Sequence, residues 1–199
     1  MDKTNFFAKD GTAPRKLKQV TVATSTSSQS KPSSGRHNPL LSEECLQLLN
    51  YRIQQEDYSS RMYLSMSLWL NNKGYVHSAA LWKTYSEEER THADWSRTYL
   101  LSMGVQPDTP ELEAPGNDYA GLPDIIRKSF AHEIEITEQI KDLATTAMMS
   151  GDHMLYTLTA HYLKEQVEEH DKTQNLVDQL EAFGEDKIAL RLLDNSFAQ

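Results

Sequence analysis

Cysteine is nearly missing from this chain, with Cys45 the only one in 199 residues. A single thiol cannot build an internal disulfide framework or a C-x-x-C motif, and it suits a reducing compartment. Long apolar runs are missing too. No stretch of about 18 apolar residues offers a membrane span, and the first residues lack the apolar central run of a secretory signal. Neither G-x-x-x-x-G-K-S/T nor H-E-x-x-H occurs, so neither P-loop nucleotide binding nor zincin chemistry is indicated.

Positive charge is scarce outside one segment. The formal net charge is −9, yet residues 1–37 hold seven Lys/Arg against Asp2 and Asp10. The rest of the chain is therefore strongly acidic, which attracts cations and repels nucleic acid. Residues 1–37 are poor in apolar side chains, and Thr21 to Gly35 is mostly Ser and Thr. Such a stretch buries too little to offset its ordering entropy and is expected to be disordered, as a solvated arm, a targeting segment or a docking element for a partner. Without a targeting role the expected location is cytoplasmic; with one it is an organelle or another compartment.

Proline and glycine are confined to a few places, and the gaps between them read as helices. Ser42-Glu43-Glu44 supplies a helix start after Asn38-Pro39, and Lys73-Gly74 a stop. A second helix runs from about Val76 to Met103, closed by Gly104. A third starts near Pro123 and ends at Ser150-Gly151, and a fourth runs from the Asp152 cap to Phe183-Gly184. The last element, about Glu185 to Asn195, is short and amphipathic through Ile188, Leu192 and Leu193. Short turns make two antiparallel hairpins. The Pro/Gly-rich stretch of about eighteen residues between them can span about 60 Å, enough to cross the length of a bundle. The expected fold is all-α: a four-helix bundle with one crossover between helices 2 and 3, plus a short fifth helix, over residues 38–199.

What is present in excess is acid on apolar stripes. Trp82, Tyr85, Glu89, His92, Ala93, Ser96 and Leu100 share one helix face, and Glu89 and His92, three apart, can share one metal ion. Glu56 lies within the stripe of Cys45, Leu49, Ile53, Tyr63 and Leu70, and Glu133 within that of Ile126, Phe130, Ile136, Ile140, Ala144 and Ala147. Glu165, Gln166 and Glu169 sit on the stripe of Leu155, Leu158, Tyr162, Leu176, Leu180 and Phe183. Acids gathered in a core repel one another and stay protonated unless cations neutralise them. Oxygen ligands with one imidazole favour iron or manganese over structural zinc. This many ligands suits two ions, with Glu89 as the natural bridge. His132, His153, His161 and His170 form no ligand set, and Trp69, Trp82 and Trp95 read as packing.

Glu56, the Glu89-Arg90-Thr91-His92 segment, Glu133 and Glu165-Gln166-Val167-Glu168-Glu169 resemble the ferroxidase motifs of the ferritins over residues 40–196. Gln166-x-x-Glu169 stands where much of the superfamily has a second E-x-x-H, which resembles the bacterial-type non-haem ferritins and implies no haem. The resemblance implies that Glu56, Glu89 and His92 hold a first iron, and Glu89, Glu133 and Glu169 a second with Gln166 beside them. Glu88, Glu165, Glu168 and Glu169 match a third iron site, and Tyr63 matches a tyrosine able to supply an electron. The implied function is iron storage with ferroxidase activity, using O2 or H2O2, in a hollow shell of about 24 subunits whose fifth helix lies at a four-fold contact. The alternative is a di-iron or di-manganese peroxidase or oxidase without storage.

Overall fold

The computed structural model describes residues 40–198, and the reading of residues 1–37 as a disordered arm lies outside them. Five helices account for nearly all of the described chain: α1 (Glu43–Asn72), α2 (Val76–Ser102), α3 (Leu122–Met149), α4 (His153–Phe183) and α5 (Lys187–Ser196). No strand occurs among the described residues. At 27 to 31 residues each, the four long helices run about 40–46 Å. α1 pairs with α2 and α3 with α4, as the short turns require.

The ends follow from local chemistry. Ser42 accepts the Cys45 N–H at 3.1 Å, Asp152 that of Leu155 at 2.9 Å, and Asp186 those of Ile188 and Ala189. Pro123 is the second residue of α3, one later than its sequence position suggested, and its missing N–H costs nothing there. Gly74 and Gly104, at φ 78° and 72°, close α1 and α2 in the left-handed region that side chains avoid. No neighbouring side chain caps the start of α2. Asp194 of α5 does so instead, accepting the Ser78 N–H at 2.8 Å and its hydroxyl at 2.6 Å while only 3% exposed.

That cap fixes α5 against the α1–α2 turn, where Arg191 donates to the carbonyls of Gly74 and Lys73 and lies over the Tyr75 ring. Ala189, Leu190, Leu193 and Asp194 are buried, whereas Ile188 and Leu192 are 74% and 54% exposed. Of the expected apolar stripe of α5 only Leu193 is buried, and the buried face runs instead through Ala189, Leu190, Leu193 and the Asp194 that caps α2. The segment between α2 and α3 runs along α1: Asn50 accepts from Asp108, Gln54 donates to the Glu111 carbonyl, and Ser65 to that of Gly116. This is the expected crossover.

The apolar core is split. Near one end Tyr63, Met66, Leu70, Trp82, Ile125, Ile126, Leu176 and Leu180 pack together; near the other, Cys45, Leu49, Ile53, Leu100, Leu143, Ala147 and Leu155 do. Glu56, Glu89, His92, Glu133, Gln166 and Glu169 fall between these clusters on their helices, and all six are buried. Phe130 is only half-buried, and Phe183 is 40% exposed at the end of α4.

Candidate metal centre

Each helix delivers acid to one mid-bundle layer. Ligand atoms of Glu56, Glu89 and His92 lie within 4.8 Å of one another, and so do those of His92, Glu165 and Glu169. His92 belongs to both groups: Nδ1 is 3.3 Å from Glu89 Oε2, and Nε2 is 3.8 Å from Glu165 Oε1. Glu56 Oε2 is buried without any hydrogen-bond partner. A buried carboxylate oxygen left open beside two further ligands fits a cation, since nothing else in the layer satisfies it.

The second half of the layer is built on Glu133. Its two oxygens accept from Tyr63 Oη and, at 2.8 Å, from Gln166 Nε2. Glu169 accepts from Lys172 Nζ at 2.8 Å, and the same ammonium reaches Glu88 Oε2 at 3.3 Å. Glu88 and Glu165 are half-buried and Glu168 is exposed. Of the four acids matched to a third iron, the structure therefore ties two together through Lys172, turns one toward His92 and leaves one in solvent.

The electrostatics are those of a layer short of positive charge. Burial, reinforced by Glu56 and Glu133, pushes Glu89 well above the usual carboxylate range. Burial raises Glu133 to about 7 against the opposing hydrogen bonds from Tyr63 and Gln166. Glu169 is raised by burial too, with Lys172 opposing. Tyr63 is held far above its ordinary value by burial and then by Glu133, so its hydroxyl keeps the proton that it donates. Divalent metal can replace the protons that these acids retain.

A model of the ferritin-like domain matches residues 46–183. The chain belongs to the ferritin family. It is 32% identical over 155 residues to a probable bacterial non-heme ferritin-like protein of Haemophilus influenzae, covering 78% of this chain and 94% of that one. It is 29% identical over 159 residues to the bacterial non-heme ferritin of Escherichia coli O6:H1, covering 80% and 96%. An open pore ferritin of the archaeon Archaeoglobus fulgidus superposes with a TM-score of 0.76 at 29% identity, covering 79% of this chain and 96% of its own. The ferritin fold thus accounts for the long α2–α3 crossover and the short fifth helix.

Two residues of this ferritin centre escape a reading of apolar stripes. Arg52 is 2% exposed, with Nε 2.8 Å from Glu56 Oε1; Lys172 is the other. Both lie on the same helical faces as the acids, at i−4 from Glu56 and i+3 from Glu169, so their spacing was the available signal. Of the other histidines, His132 meets Ser59 at 2.7 Å, His161 packs against Trp95 and His170 against Phe130.

Proposed function

We propose that this chain is the subunit of an iron-storing cage that oxidises Fe(II) at the mid-bundle layer. Fe(II) would bind at Glu56, Glu89 and His92, and at Glu89, Glu133 and Glu169 with Gln166 adjacent, Glu89 bridging. The observation that carries the reading is the buried Glu56–Glu89–His92 group with its open Glu56 oxygen, in a chain of the ferritin family. Carboxylates favour Fe(III) over Fe(II), so this ligand set makes oxidation favourable. Two irons each give up one electron, and O2 takes both to leave as peroxide; H2O2 as oxidant takes two to give water. Tyr63, hydrogen-bonded to Glu133, would supply a third electron and an Fe(II) at the third site the fourth, so that O2 is reduced to water instead of peroxide.

Ferric product would move toward Glu88, Glu165 and Glu168 and on to a mineral inside a cage of about 24 subunits. No described helix is long and apolar enough to cross a membrane, and we take the cage to be cytoplasmic and haem-free. Residues 1–37 would be a solvated arm outside the chemistry, with a docking role for a partner as the alternative, so their deletion leaves iron oxidation unchanged.

Sedimentation of the purified protein before and after aerobic Fe(II) addition tests storage. A large shell that gains mass far beyond three irons per chain is expected. A small oligomer that stops at two metals would replace this reading with a non-storing di-iron or di-manganese oxidase.

A further inference from the structure

Arg52 is the only lysine or arginine buried among the described residues. It lies on α1 one turn before Glu56. Nη1 donates to Gln139 Oε1 of α3 at 3.1 Å, Nε forms an ion pair with Glu56 Oε1 at 2.8 Å, and neither Nε nor Nη2 has a hydrogen-bond partner. A guanidinium cannot lose its proton in a protein, so this charge is permanent.

Holding Glu56 in place does not require a charge, since a neutral donor would serve. The charge does something a neutral donor could not: it repels any cation that Glu56 binds. Lys172 stands beside Glu169 in a similar way, but it is one-third exposed on a flexible stem and can swing into solvent when metal arrives. Arg52, enclosed and pinned by Gln139, cannot leave. The two metal positions are therefore unequal by construction.

Resting on the proposed iron chemistry of this layer, we propose that Arg52 is a fixed counter-charge that weakens metal binding at the Glu56–Glu89–His92 position and makes it the position that empties first. The sign follows from charge. A permanent positive charge 2.8 Å from a Glu56 oxygen repels any further cation brought to that carboxylate, and a dication feels twice the repulsion of a monovalent ion. Removing the charge tightens metal binding near neutral pH.

The test uses redox-silent Zn(II), titrated calorimetrically into the metal-free full-length protein, counting only the equivalents that Glu89→Ala abolishes. Wild type should show two affinities. Arg52→Gln, which removes the charge and keeps a polar side chain, should tighten the weaker one at least tenfold, and Arg52→Lys should leave it as in wild type. Gln139→Glu offers a second route should Arg52→Gln fail to fold, because it neutralises the guanidinium from its far side and should tighten the same position. Unchanged or weaker Zn(II) binding in the variants would make Arg52 a structural clasp for Glu56 and overturn the proposal. A wild type with no Glu89-dependent equivalents would instead overturn the reading of the layer as a metal centre, and this proposal with it.

Discussion

His92 Nε2 stands 3.8 Å from Glu165 Oε1, with α2 supplying the ring and α4 the carboxylate. The other ring nitrogen faces Glu89 at 3.3 Å, so the imidazole joins the two acid groups. The Glu165 separation is too long for a direct hydrogen bond and suits an orienting partner or a second ligand that closes in when metal binds. Glu165→Gln should weaken Fe(II) binding about tenfold and slow the first oxidation phase without abolishing it. Stopped-flow absorbance after anaerobic Fe(II) loading and oxygen addition reads both. An unaltered fast phase at limiting iron would remove Glu165 from the centre.

Glu89 has a larger role. As the proposed bridge it serves both irons, and Glu89→Ala should largely abolish rapid oxidation. The same carboxylate is a burden on the metal-free protein, where burial and Glu56 oppose its ionisation. Glu89→Gln should therefore raise the metal-free Tm by a few degrees at about pH 8, while losing the stabilisation that bound Zn(II) brings to wild type. Calorimetric melts with and without Zn(II) would show the crossover, and a normal fast phase in Glu89→Ala would sink the assignment.

The proton held by Glu133 predicts a pH slope. Its folded value of about 7 lies above the ordinary 4.5, so the stability that proton brings is complete below about pH 4.5 and is lost as pH rises through about 7. His132, lowered to about 4 from 6.5, acts in the opposite sense, losing stability as pH falls through that window. Comparison with Glu133→Gln isolates the glutamate. From about pH 5 to about pH 8, metal-free Glu133→Gln should gain on wild type, by on the order of 3 kcal/mol in urea denaturation. Parallel curves for the two proteins would show that Glu133 titrates normally.

Lys172 occupies the space between Glu88 and Glu169 that a third cation would otherwise neutralise. Because the one-third-exposed ammonium can be displaced, Lys172→Met should leave the number of bound Zn(II) or Tb(III) ions unchanged and tighten their binding severalfold by equilibrium dialysis. It should also slow the passage of iron out of the centre. An affinity equal to that of wild type would mean that the ammonium does not compete with metal at these carboxylates.

Several features of this ferritin were decided by local sequence alone. Caps at Ser42, Asp152 and Asp186, glycines at 74 and 104, and apolar spacing on four stripes define the helices, because each depends on residues within a turn or two. The acids at 56, 89, 133 and 169 were legible for the same reason: helical periodicity states which face a residue shares, and a carboxylate on an apolar face stands out. Which partners those acids meet was not legible, since it depends on the relative rotation and rise of packed helices. The pairing of Tyr63 and Gln166 on Glu133, the reach of Lys172 across to Glu88, the Gln139 contact that pins Arg52 and the Asp194 cap on α2 join residues of different helices by side-chain reach rather than by chain position. Tertiary packing chose them, because buried charges and open backbone groups must find partners wherever the bundle brings them.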